Sequence, residues 1–320
     1  MARPVLSPHR YRIATMAALV FLFVIVVSGA LVRLTDSGLG CADWPNCNAS
    51  KFVDVSSTHS AIEQVNRLFT GAVTLAVALA VLGAVIRVPR RRDLTWLSAG
   101  LVVGVLGQAI LGAIVVWSHL NPVAVQGHFL LSMALMADAL VLHRRAARPD
   151  GGRPEPTVPA PIRRHVWATT AATAVALVTG TVVTGAGPHS GSVDGDPVRR
   201  FGLAVSSAAR IHSLAVWTTI VLLLALAWRI RNRPDVRRPI ESAMTVLGAL
   251  ALVQGAIGYI QYFSGVPIVL VAIHVGFATG VWLAAVNLGL CTTRVVAAAD
   301  ADAVPAVSSA PTPAPLATPT

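Results

Sequence analysis

Charge is scarce in this chain. Only 12% of its 320 residues are Asp, Glu, Lys or Arg, and aromatic residues make up 6%. Soluble domains carry about twice that share of charge, so this is not an ordinary water-facing domain. Cysteine is scarce too, at three residues, which excludes a disulfide-dense secreted scaffold. Alternation of apolar and polar residues is missing, and with it a membrane β-barrel. No Ala-x-Ala cleavage site leading into a soluble domain follows the first apolar run, so that run reads as a membrane span and not a removed leader.

What the chain does have is 55% hydrophobic residues. They gather into eight runs, near 13–34, 60–86, 94–116, 123–142, 166–186, 204–228, 240–261 and 267–290. A bilayer needs roughly 20 such residues per crossing. The expected fold is therefore an all-α membrane protein with eight transmembrane helices and the lipid bilayer as its surroundings.

The net charge of +11 invites a nucleic-acid reading, but its distribution argues against one. With the N-terminus in the cytoplasm, 19 of the 25 basic residues fall on that side: Arg3, Arg10 and Arg12; Arg87 and Arg90–Arg92; six within 143–165; five within 229–239; and Arg294. This is the positive-inside asymmetry. Basicity here sets topology, no nucleic-acid partner is expected, and both termini are cytoplasmic. The lack of a transit peptide and the Ala/Arg-rich composition suggest a bacterial plasma membrane.

The chain repeats itself. A step of 146 residues carries His128 to His274, Gln108 to Gln254, Gly112 to Gly258 and Asn66 to His212. The ends of spans one and five, Val-Ser-Gly-Ala-Leu-Val from Val27 and Val-Thr-Gly-Thr-Val-Val from Val178, match at an offset of 151. Two tandem four-helix bundles are the economical architecture, with their repeat axis along the membrane normal. The expected division is 1–145 for the first bundle, 146–165 for a Pro/Gly/Arg-rich cytoplasmic linker, 166–292 for the second bundle and 293–320 for a disordered tail.

Position sorts the nine histidines. His9, His143 and His165 fall in basic segments and are expected to be solvated. His59, His119 and His189 lie near outer helix ends. His128, His212 and His274 lie inside apolar spans, each on the order of 10 Å below the outer surface. An imidazole in hydrocarbon needs a partner. A lone one is satisfied by an interhelical hydrogen bond, but three at one depth, two of them related by the repeat, point to metal. His212 and His274 facing each other would ligate a heme iron. Zinc is disfavoured because no cysteine or carboxylate joins them.

The first copy departs from the second at Asn66, a poor iron ligand. His59, Glu63 and Asn66 share one helical face, and Arg67 follows. An intramembrane carboxylate is a functional candidate; the alternative is a salt bridge from Glu63 to Arg67 or Arg33. Ala209 stands at the equivalent place in copy two, so the fold itself does not require the carboxylate. Cys41 and Cys47 lie in the first outer loop, where a disulfide persists, with two free thiols as the alternative. Cys291 reads as an unpaired packing residue.

Three phrases resemble one family. Thr35-Asp-Ser-Gly-Leu-Gly-Cys-Ala-Asp-Trp-Pro-Asn-Cys47 looks like the first outer loop of heme A synthases. Ile62-Glu-Gln-Val-Asn-Arg67 is similar to their Glu-x-x-His-Arg motif, and Thr181-Val-Val-Thr-Gly-Ala-Gly-Pro-His-Ser-Gly191 to the exit of their fifth helix. The similarity covers roughly residues 12–292. It implies a membrane oxidoreductase that converts the C8 methyl of heme O to a formyl group, giving heme A for terminal oxidase assembly. It places cofactor heme b on His212 and His274, substrate heme O against His128, an essential carboxylate at Glu63 and a disulfide at Cys41–Cys47. A heme O synthase is the implied upstream partner; the sequence does not name the electron donor.

Asn66 stands where the family has a histidine, so the expectation is a five-coordinate substrate heme on His128. Asn66 and Arg67 are then its neighbours, and His59 is an alternative second ligand. Glu63 is expected to handle protons or to stabilise charge at the methyl carbon. The main rival is a diheme b-type cytochrome that transfers electrons without oxidising a substrate; the other is a transporter with a Glu63 relay. All the candidate ligands lie at one depth, which is awkward for a transmembrane wire.

Overall fold

The computed structural model describes residues 5–192 and 198–296. Within them run α1 (Pro8–Leu34), α2 (Thr58–Ile86), α3 (Arg92–Trp117), α4 (Pro122–Ala146), β1 (Arg153–Pro156), α5 (Ala160–Ala186), α6 (Val205–Ile230), the single turn α7 (Pro234–Arg237), α8 (Glu241–Phe263), α9 (Ile268–Cys291) and β2 (Thr293–Val296). Eight of these helices are long and apolar enough to cross a membrane, as the eight runs led us to expect.

Helix starts follow local chemistry. The Ser7 hydroxyl accepts from Arg10 N, with Pro8 in the first turn, where a missing N–H costs nothing. Ser57 and Ser60 cap α2 reciprocally. Asn121 caps α4 ahead of Pro122.

The four helices of the first half close into a ring, with α1 against α2 and α4, and α3 against the same two. The second half has the same order of neighbours: α5 against α6 and α9, and α8 against the same two. The halves meet through α1, α4, α5 and α9. Trp282 Nε1 donates to Met133 O at 2.8 Å across this seam, and Gln126 Nε2 to Thr181 Oγ1 at 2.7 Å. Outward faces are apolar, as at Val103, Leu106 and Ile110, which suits hydrocarbon and not water.

Burial is lopsided along the membrane normal. The buried cluster of the first half extends toward the histidine level as far as Val26 on α1, Val73 on α2, Leu101 on α3 and Met133 on α4. In the second half it stops at Val166 on α5, Leu223 on α6, Leu247 on α8 and Ala284 on α9. Both cores thus lie mostly toward the end of the bundle where the chain termini lie, with α1 carrying the first one further. The opposite ends, nearer the Cys41–Cys47 loop, mix half-buried residues with buried ones such as Val32, Ala113, Val116 and Ala208.

The terminal face is more ordered than the composition implied. The linker forms β1, which pairs antiparallel with β2, Arg153 opposite Val296 and Pro156 opposite Thr293. Residues 293–296 are therefore a strand and not part of a disordered tail, and residues 297–320 lie outside the described residues. Backbone pairing of two distant polar segments has no periodic signature in either. Arg87, 1% exposed, pairs with Asp150 of the linker at 2.8 Å. The expected solvation of two histidines also fails. His143 is buried, with Nδ1 3.1 Å from Thr15 Oγ1, and His165 Nε2 is 2.9 Å from Leu222 O. Their helices extend beyond the apolar runs, to Ala146 and back to Ala160, so both rings pack between helices.

Candidate functional site

His128, His212 and His274 lie six, seven and six residues into α4, α6 and α9, so all three sit on the order of 10 Å inside. His212 and His274 are near enough to interact electrostatically. Each is packed against a glycine on a neighbouring helix. A Cβ on Gly180 would stand 3.1 Å from His212 Cε1, and one on Gly258 3.1 Å from His274 Cε1. In the first half a Cβ on Gly112 would stand 3.6 Å from His128 Cε1. At Gly180 and Gly258 an added Cβ would force the ring to shift, whereas at Gly112 it would make ordinary contact.

The hydrogen bonds follow the same correspondence. Gln108 Nε2 donates to His128 O at 3.1 Å, and Gln254 Nε2 to His274 O at 3.1 Å. Thr179 Oγ1 is 3.2 Å from His212 Nδ1 and 3.0 Å from both Val175 O and Ala176 O. A hydroxyl has one proton, and the carbonyls can only accept it. With that proton on a carbonyl, Thr179 accepts from His212 Nδ1–H, and Nε2 then keeps its lone pair, the tautomer that ligates metal. At the matching place in the first half, Ser28 Oγ donates to Asn66 Oδ1 at 2.8 Å. A Cβ on Gly29, the counterpart of Gly180, would meet nothing within 4 Å. The space that an imaginary ring would fill there stays open.

These residues fit a heme-type ligand set. His128 Nδ1 and His274 Nδ1 are buried without a hydrogen-bond partner among the described residues, as are Gln108 Oε1 and Gln254 Oε1. A buried polar atom left so demands an explanation, and an iron taken by the imidazole itself would give the ring a partner; at His274 the other nitrogen, Nε2, accepts from Gln254 Nε2 at 3.0 Å. A tetrahedral ion is not supported: among the described residues no cluster of three His, Cys, Asp or Glu could hold one.

Glu63 and Arg67 sit together above Asn66. Glu63 is buried; its Oε1 accepts from Arg67 Nε at 2.9 Å and its Oε2 from Cys41 N at 2.8 Å. Arg67 also donates to Asp43 O at 2.9 Å and Asn46 O at 3.2 Å. The ion pair thus clamps the outer loop onto α2. Cys41 and Cys47 form a disulfide inside that clamped loop, with Cα atoms 4.4 Å apart. Of the two partners open to Glu63, Arg67 is the one taken; Arg33 instead donates to His189 O and Thr184 O. His59 Nδ1 is 3.1 Å from Ser37 Oγ, which ties that ring to the loop.

The two loop phrases touch. Gly38 N donates to Gly191 O at 2.7 Å. Gly191 has φ +93°, and a Cβ on Gly38 would be 2.8 Å from that same oxygen, so glycine is required at both ends of the contact. One intramembrane carboxylate escaped the sequence reading. Asp138 lies on α4 with Oδ2 2.8 Å from where a Gly100 Cβ would stand, and no ion pair forms to it among the described residues. An acid in the middle of an apolar run was the available signal.

Residues 12–286 match the family described as cytochrome oxidase assembly protein. The chain belongs to that family. Its relatives include a heme A synthase of Listeria monocytogenes, 26% identical over 277 residues, which are 82% of this chain and 89% of that protein. A heme A synthase of Bacillus pumilus is 36% identical over 123 residues, 38% of this chain and 40% of that protein. One of Lysinibacillus sphaericus is 33% identical over 119 residues, covering 37% and 36%. The family expected from the three phrases is borne out, as are the eight-helix fold and the membrane setting.

Proposed function

We propose that this protein is a heme A synthase, an oxidoreductase that converts the C8 methyl of heme O to a formyl group. One observation carries the reading: His128, His212 and His274 lie at one depth in their helices, with His212 near His274 in one half and Asn66 in the matching place in the other. Membership of an oxidase assembly family and relatives bearing that name support it.

In this reading His212 and His274 hold heme b, and His128 binds substrate heme O. Heme b, when bound, supplies one-electron transfer. The chain's own residues do the rest. Thr179 fixes the His212 tautomer, while Gly180 and Gly258 set the ring orientations. Gln108 and Gln254 hold the backbone of the ligand-bearing turns. Asn66, fixed by Ser28, leaves the second face of the substrate site without an imidazole. Arg67 pairs with Glu63, and the carboxylate retains lone pairs beyond its two bonds to accept a proton or stabilise positive charge at the methyl carbon. The clamped loop shields that end from water. The two halves then form a duplicated pair, 1–145 and 166–292, with electrons handled in the second and oxidation in the first. A heme O synthase supplies the substrate, and the termini face the cytoplasm of a bacterial plasma membrane.

Pigment extraction from the purified protein tests this. Heme b together with heme O or heme A is the expected result. Heme b alone would favour an electron-transferring cytochrome, and no heme at all would remove both readings.

A further inference from the structure

We propose that the face carrying the chain termini binds an anionic phospholipid headgroup in a basic pocket between the ends of α4 and α9. The pocket has a volume of about 250 Å³ and is lined by Arg144, Arg148 and Arg294, with Leu290 and Val295 as apolar wall and no carboxylate in its lining. Three other arginines on this face have carboxylate partners: Arg87 with Asp150, Arg91 with Asp93, and Arg237 with Glu241. Among the described residues no carboxylate lies within 4.0 Å of Arg144 or Arg148, and Arg294 has only the exposed Glu155 at 3.5 Å. Arg144 rests instead on Cys291 Sγ at 3.4 Å, a weak acceptor.

Positive charge is in excess here. Burial pulls the Arg148 guanidinium below the usual arginine range, and the neighbouring Arg145, Arg144 and Arg91 pull it further. A cluster of this kind gains most from an anion that accepts several N–H groups at once, as a phosphodiester does.

The location favours lipid over a free ion. The pocket opens where two membrane-length helices end, the level at which headgroups lie, and basic pockets between helices there bind such headgroups. Leu290 and Val295 offer the glycerol and first acyl carbons an apolar wall. Arg144 belongs to the last helix of the first half, and Arg294 follows the last helix of the second. One headgroup would therefore bridge the halves. None of this depends on the heme reading.

Thermal unfolding of the full chain in neutral detergent tests the proposal, because a ligand bound only by the folded state raises Tm. Phosphatidylglycerol should raise Tm by several degrees beyond an equal amount of phosphatidylcholine. The R144Q/R148Q variant should lose that increment, while R238Q, at an exposed arginine outside the pocket, should keep it. If the double variant fails to fold, R144Q and R148Q singly should each retain less phosphatidylglycerol by native mass spectrometry. Equal shifts by the two lipids, an undiminished shift in the pocket variants, or full replacement of the effect by inorganic phosphate would each overturn it.

Discussion

Ser28 donates to Asn66 at 2.8 Å in the place where, in the other half, Thr179 meets His212 at 3.2 Å. The same pair of helix positions thus serves an imidazole once and an amide once. Gly29, opposite Asn66, has open space where Gly180 has a ring against it. The asymmetry is a local substitution within a shared frame.

That frame accommodates a histidine at position 66. Asn66→His should fold, with the imidazole lying over Gly29 as His212 lies over Gly180. The substrate heme should then show a six-coordinate low-spin absorption spectrum, and heme A output should fall. An unchanged spectrum with unchanged output would remove the significance we give to Asn66.

Glycine contacts position His212 and His274, the proposed heme b ligands. Gly180→Ala and Gly258→Ala each bring a methyl to 3.1 Å from an imidazole carbon, closer than ordinary contact, so the ring must tilt. Bound heme b should drop, or its redox potential shift, in both variants. Gly71→Ala, whose Cβ meets nothing within 4 Å, should leave heme content unchanged and gain about 0.5 kcal/mol from helix propensity.

The Glu63–Arg67 pair is a clamp as well as a charge. Its side chains are 8% and 17% exposed, so removing one partner strands a poorly solvated charge, at a cost of about 3 kcal/mol. Glu63→Gln and Arg67→Gln should each lower Tm. The double variant should be less destabilised than the sum, with a coupling above about 1 kcal/mol. Additive losses would show that the two side chains act separately.

Arg87 and Asp150 lock the linker to the end of α2. Asp150→Asn leaves the Arg87 charge, 1% exposed, without its partner and should cost about 3 kcal/mol. Thermal unfolding in detergent measures this. A Tm unchanged from the parent would mean that the linker is held by other contacts.

The parts legible in the sequence are those with a local signature. Apolar length marked the eight helices, because crossing hydrocarbon demands it of each segment separately. His128, His212 and His274 stood out by depth and spacing, and Cys41–Cys47 by the phrase around them. What escaped was pairing between distant segments. Nothing near Arg294 announces that β2 joins β1, and nothing near His143 announces Thr15. Glu63 was singled out as an intramembrane carboxylate, but its double engagement by Arg67 and Cys41 N depends on where the loop folds. Asp138 was overlooked because a single acid does not disturb a run that is otherwise apolar.

The central claim is the conversion of heme O to heme A. It is tested most directly by heme analysis of a host that makes heme O but no heme A, with and without this chain. Heme A should appear only when the chain is expressed, and should be lost in His128→Ala protein that is folded and membrane-inserted. Folded wild-type protein with heme O present and no heme A formed would contradict the account.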